Sequence, residues 1–326
     1  MEQHRGDPES GDRDHRLDRE ARELDTAVRA LRGGSVVIIP TETVYGLAAD
    51  AANAVAVAGL YAAKGRPRFN PLIAHVANAK GAARIARLDA RALALADAFW
   101  PGPLTLVAPI GDETAVCALA RAGLDTVAVR VPAHPVATRL LESFGGPLVA
   151  PSANRSGRPS PTTFADALSE TGVAAAAALD GGACGIGLES TVIALLDGPP
   201  RLLRPGAVTR DQIEALIGPL AEAENDARRS PGRMARHYAP IAPVRLDAIA
   251  PKAGEAFLAF GPAPAGDLVF NLSPVGDLQE AAALLFAYLR AADAICPTAI
   301  AVAPIPGLGL GEAINDRLRR AAGFVG

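Results

Sequence analysis

Short, unbroken runs of branched apolar residues alternate along this chain with stretches whose apolar positions recur every three or four residues. That alternation restricts it to folds in which helices cover a twisted sheet. The run SVVIIP at 35–40 reads as a buried strand. Ahead of it Leu17, Ala21, Leu24, Val28 and Leu31 mark one face of a helix, which Gly33 and Gly34 end. The same reading predicts helices at 53–63, 89–100 and 135–144 and strands at 71–76, 104–109, 126–131, 148–150, 191–196 and 201–204. The alanines at 174–178 fit helix or strand, and the relative direction of the strands stays open. Thr209 with Gln212 forms a capping box that opens a short helix ending at Gly218.

Residues 219–243 lack periodicity and carry prolines, which marks an interdomain linker. Beyond them, strands at 257–260, 268–270 and 298–303 and helices at 278–292 and 312–322 predict a small second α/β domain. The 326 residues thus divide into an N-terminal extension at 1–16, expected to be disordered because it has little to bury, a first domain at 17–218, the linker at 219–243 and a second domain at 244–326.

Hydrophobic residues are 50% and aromatics only 4%, so alanine and branched aliphatics must fill the core. A net charge of −3 provides no general attraction to nucleic acid. Three cysteines, Cys117, Cys184 and Cys296, form no C-x-x-C pair and read as reduced, small hydrophobes. The five histidines include no H-E-x-x-H, so no structural metal is expected. Neither a targeting peptide nor a long apolar run is visible, and a cytoplasmic protein without membrane contact is expected.

Chemistry concentrates where strands end. KGRPRFNPLIAH at 64–75 sets Lys64, Arg66 and Arg68 on a backbone stiffened by Pro67 and Pro71, with Asn70 and His75 about an apolar run. Cations held on a stiff backbone suit phosphate or carboxylate, because little ordering remains when the anion arrives. Alone, such a stretch reads first as a solvated basic turn before a buried strand. PTETVYGL at 40–47 adds Thr41, Thr43, Tyr45 and Glu42 on a loop after the first strand. PSANRSGRPSPTT at 151–163 supplies Ser152, Asn154 and Thr162 among other neutral donors. Arg130 stands in an apolar strand, where a charge needs a partner or a ligand. Ser190, in GLEST, and Arg204, in LLRPG, occupy further strand ends. No G-x-x-x-x-G-K-[ST] or G-x-S-x-G occurs, which excludes Walker-type nucleotide binding and weakens a serine hydrolase built on Ser152 and His75. Physical reading of the residues stops at a nucleotide-using enzyme acting on a small anionic substrate.

In this order PTETVYGL, KGRPRFNPLIAH, SAN-x-SG-x-x-SPT, EST, RPG and SPGRMARHYAP resemble the long, two-domain form of the YrdC-like L-threonylcarbamoyladenylate synthases. The resemblance spans roughly 31–240, and GLGLGEAINDRLRRAA in the tail agrees with it. It implies an α/β chain, a YrdC-like twisted open sheet domain followed by a small Rossmann-like α/β accessory domain. It implies an enzyme, a nucleotidyltransferase that joins L-threonine, bicarbonate and ATP into threonylcarbamoyl-AMP and pyrophosphate, with magnesium bound through the ATP phosphates. The product would pass to the tRNA threonylcarbamoyl-transfer proteins that modify adenosine 37, with no direct tRNA contact by this chain. In such a reaction Lys64 and Arg66 would be catalytic, offsetting with magnesium the repulsion between two anionic reactants and the charge on the leaving pyrophosphate, and by the family's pattern Arg66, Asn70, Thr126, Asn154, Thr162, Arg204 and Tyr238 meet ATP. Thr43, His75, Arg130, Ser152 and Ser190 meet L-threonine. Arg233, Met234 and Ala235 depart from the family's common SPGMKYRHYAP form, while His237 and Tyr238 are kept. Two other readings use the same fold: an RNA-binding ribosome-maturation factor, and a carbamoyl-transferring module with another acceptor.

Overall fold

The computed structural model describes residues 8–221 and 237–323. In chain order the first part holds α1 Pro8–Arg32, β1 Val37–Ile39, β2 Gly46–Asp50, α2 Ala54–Lys64, β3 Ile73–His75, α3 Ala79–Ile85, α4 Ala90–Phe99, β4 Leu104–Pro109, β5 Thr126–Arg130, α5 Pro135–Phe144, β6 Leu148–Val149, α6 Phe164–Thr171, β7 Ala177–Ala178, β8 Thr191–Ala194, β9 Arg201–Arg204 and α7 Arg210–Ile217. The second holds β10 Val244–Arg245, β11 Ala256–Ala259, β12 Val269–Asn271, α8 Leu278–Ala294, β13 Ile300–Val302 and α9 Leu310–Ala321.

Among the described residues the first part forms a sheet of nine strands in the order β7-β1-β2-β6-β3-β5-β4-β8-β9. The sheet is mixed: β1 with β7, β3 with β5 and β4 with β8 run parallel, the remaining neighbours antiparallel. β1 is apolar throughout because both of its faces are covered: Ile38 joins the main core, while Val37 and Ile39 pack on the side of α1 and α5. Four parallel-paired strands, ordered β10-β13-β11-β12, build the second sheet, with α8 and α9 packed on each other. This is the expected accessory α/β layer.

Several expectations need correction. α1 starts at Pro8, so its first turns run through residues 8–16 of the extension. PTETVYGL is not loop throughout. Gly46 and Leu47 already belong to β2, which returns antiparallel against β1 with Ile39 opposite Gly46. Of the alanine run only Ala177 and Ala178 form a strand, β7, and 174–176 are turn and coil. α3 and α6, seven and eight residues long, were not foreseen, being too short to show a helical period. Arg233, Met234 and Ala235 lie outside the described residues. No helix among the described residues is long and apolar enough to cross a membrane.

Candidate active site

The strand ends and loops meet at a cavity of about 50 Å³. Thr43 and Val44 come from the β1–β2 turn, Arg66, Pro71 and Leu72 from the α2–β3 loop, Ile73 and His75 from β3, and Arg130 from the end of β5. Ala150, Pro151 and Ser152 follow β6, Glu189 and Ser190 precede β8, Arg204 ends β9, and His237 and Tyr238 close it from the second domain's side.

One corner is built by register. β3 and β5 run parallel with His75 opposite Arg130, so the two side chains share a face. Arg130, 3% exposed, donates from Nη1 to Thr43 Oγ1 at 3.0 Å, from Nη2 to Glu42 Oε1 at 2.5 Å and from Nε to the Gly102 carbonyl at 3.1 Å. Thr41 Oγ1 donates to the Val44 carbonyl at 2.7 Å and lies 2.8 Å from Thr43 Oγ1. The Thr43 hydroxyl therefore donates to Thr41 and accepts from Arg130. Burial, then the neighbouring Arg130 charge, pushes His75 down to about 3. The ring is neutral near pH 7. Its Nδ1 lies 3.1 Å from the Ile73 carbonyl, which can only accept, so Nδ1 carries the proton and Nε2 is left as an acceptor.

The opposite side is cationic. Arg66 donates to the carbonyls of Asn70 and Pro71 at 3.4 and 3.2 Å, and burial lowers it to about 10. Arg204 donates twice to the Ser190 carbonyl, at 3.0 and 2.8 Å, and once to Ser190 Oγ at 3.1 Å. Ser190 Oγ is 2.7 Å from Thr105 Oγ1. Lys64, expected to meet the anion, does not line the cavity. Its buried Nζ donates to the carbonyls of Ser152 and Asn154, and desolvation lowers its pKa well below the ordinary lysine value. Asn154 donates from Nδ2 to the carbonyls of Arg155 and Arg158 at 2.8 and 2.9 Å. The side-chain oxygens of Asn70 and Asn154 are buried with no partner among the described residues.

The structure thus brings Thr43, Arg66, His75, Arg130, Ser152, Ser190, Arg204 and Tyr238 to one cavity. Asn70, Asn154 and Thr162 are buried but do not line it, and Thr126, half-buried, faces a separate crevice with Pro71 and Arg121. Sequence reasoning missed Glu189, although GLEST was noted, and Arg317. Glu189 accepts from Ser160 Oγ and, at 3.0 Å, from Arg317 Nε of α9. Arg317 gave no signal, being one arginine among several in a helix and 128 residues from its partner.

Residues 29–206 match the Sua5/YciO/YrdC family model, described as telomere recombination, and residues 208–323 match the model of the threonylcarbamoyl-AMP synthase C-terminal domain. The chain belongs to the threonylcarbamoyl-AMP synthase family. Within that family it is 39% identical to the Bacillus subtilis threonylcarbamoyl-AMP synthase over 325 residues, covering 91% of this chain and 92% of the relative. The Pyrococcus abyssi threonylcarbamoyl-AMP synthase is also 39% identical, over 90% of this chain and 92% of its own. The crystal structure of P. abyssi Sua5 complexed with L-threonine superposes with a TM-score of 0.85 at 38% identity, over 92% of this chain and 94% of that one. Both sheets therefore belong to the family's two-domain form.

Proposed function

We propose that this protein synthesises L-threonylcarbamoyl-AMP from L-threonine, bicarbonate and ATP, a nucleotidyl transfer that releases pyrophosphate and supplies the threonylcarbamoyl group of tRNA adenosine 37. The observation that carries the reading is one cavity whose walls join a neutral histidine and Arg130 to Arg66 and Arg204. An amino acid corner and an anion site then line the same cavity.

Arg130 has five N–H donors, of which three are engaged by Thr43, Glu42 and Gly102, so two remain for the threonine carboxylate. Acceptor-only Nε2 of His75 suits the threonine hydroxyl, while Thr43, Ser152 and Ser190 complete the walls. The amine captures bicarbonate as a carbamate with loss of water, and a carbamate oxygen attacks the α-phosphorus while pyrophosphate departs on the far side. Both reactants are anions. Arg66 and Arg204 offset their repulsion and the charge gathering on pyrophosphate, and positioning of this kind dominates such transfers. The unpartnered oxygens of Asn70 and Asn154 suit donors on the nucleotide, its ribose hydroxyls or adenine amino group. In this reading Lys64 acts through the loop it fixes, holding Asn154 in place; Thr162 and Tyr238 bound the nucleotide, and Thr126, set apart from the cavity, contributes least.

Magnesium finds no set of protein ligands here: Glu42 and Glu189, the carboxylates at the site, are engaged by Arg130 and Arg317, and no group of three metal-binding side chains occurs among the described residues. The ion would come on the ATP phosphates, and no step above depends on it. The test is incorporation of labelled bicarbonate. Label should enter an adenine-containing product only when L-threonine and ATP are both present; its absence from any adenylate under those conditions would refute the reading.

A further inference from the structure

Three consecutive residues of the GLEST stretch are seated on the second domain. Gly187 lies so close to α8 that an added Cβ would stand 2.5 Å from the Ala282 carbonyl oxygen, at a backbone φ of 75° that side chains rarely adopt. Leu188 is fully buried in the second domain's own apolar core, together with Val44 and Tyr238. Glu189 meets Arg317, a guanidinium with no exposure at all. Arg317 donates to Glu189 Oε2 at 3.0 Å, to the Pro205 carbonyl at 2.7 Å and to Asp316 Oδ2 at 2.9 Å. Its Cζ also sits 5.5 Å from the centre of the Tyr238 ring.

Stability does not account for this pair. Desolvating two charges offsets most of their attraction, and apolar residues of equal volume would hold the domains at least as well. Its position does: Glu189 and Tyr238 are both cavity walls, and an unneutralised carboxylate there would repel any anion entering beside Arg66 and Arg204.

We propose that Arg317 is a positioning residue of the active site, contributed by the second domain. It neutralises Glu189, fixes the wall at 187–190 and braces Tyr238. The second domain is then part of the site rather than an appendage to it. The charge argument rests on the reading above that the cavity receives ATP; the wall argument does not.

The test compares the full-length protein with Arg317→Met, with Arg317→Met combined with Glu189→Gln, and with Arg210→Ala. The last removes a different interdomain ion pair, Arg210–Glu312, that touches neither Glu189 nor Tyr238. Hydrogen exchange across 187–190 should speed up at least tenfold in Arg317→Met and stay unchanged in Arg210→Ala. The KM for ATP should rise at least tenfold in Arg317→Met, with a smaller change in kcat, and return to within about threefold of wild type when Glu189→Gln is added. Should Arg317→Met not fold, Arg317→Lys keeps the charge but loses the fork spanning Glu189 and Pro205, so it should show the faster exchange with ATP affinity largely retained. Unchanged exchange at 187–190, or a double variant as impaired toward ATP as the single one, would overturn the proposal. A wild-type protein inactive with ATP and threonine would count against the functional reading alone, because the exchange comparison still decides whether Arg317 holds the wall.

Discussion

His75 shows how a strand position becomes a chemical one. Parallel pairing places it opposite Arg130, and the buried ring stays neutral with its pKa pushed down to about 3 from an ordinary 6.5. The unfolded chain takes up a proton here as pH falls through about 6.5, whereas the folded chain takes none until near 3. Stability should therefore fall across that window as pH drops, by roughly 1.4 kcal/mol per pH unit for one proton. Urea unfolding from pH 7 to pH 5 should show a slope shallower by about one proton in His75→Gln than in wild type; equal slopes would contradict the neutral buried ring. Glu189 acts in the same direction, since burial tends to raise its pKa but the charges of Arg317 and Arg204 hold it below the ordinary value. Breaking a buried pair from one side is costly, so Arg130→Met, which strands Glu42, should lower unfolding free energy by about 3 kcal/mol. Residues of this kind were legible when a charged or hydroxyl group interrupted an apolar run, as at Arg130, Ser190 and Arg204. Glu189 with Arg317 was not legible, because only the folded chain says which carboxylate meets which arginine. Thr126, matched by motif order, lines a crevice beside Pro71 and Arg121, apart from the main cavity.

At the scale of elements, local chemistry set most boundaries. Thr209 accepts from the Gln212 amide while the Gln212 side chain accepts from the Thr209 amide, so the capping box read from two letters is formed at α7. Thr209→Ala should cost about 1 kcal/mol in thermal or urea unfolding, with little effect on activity. β2 escaped the sequence reading because GLAAD lacks β-branched and aromatic residues; its strand character comes from pairing on both sides, with β1 and β6. Glycine at 206 is set by crowding: an added Cβ would stand 2.4 Å from the Thr191 amide nitrogen and 2.7 Å from the Glu189 carbonyl oxygen. Gly206→Ala should push the wall at 189–190 outward, lowering both thermal stability and threonine affinity measured by calorimetry. A variant with wild-type affinity would show that this wall does not shape the site.

Across the whole molecule the two domains share one apolar core, in which Val44 and Leu188 of the first pack with Tyr238 and Phe286. Tyr238 is held at a φ of 61° with its ring 5.3 Å from Phe286, and the next amide, Ala239, donates to the Gly157 carbonyl at 2.7 Å. His237 and Tyr238 thus form the wall of the cavity on the second domain's side. The two-domain α/β plan was readable from period and punctuation, but the shared core was not, since it joins side chains far apart in sequence. The central claim is tested most directly by pyrophosphate release from ATP with magnesium present, omitting L-threonine and bicarbonate in turn. Release that requires both co-substrates is the predicted result; release that ignores either one, or none at all while ATP still binds, would contradict it.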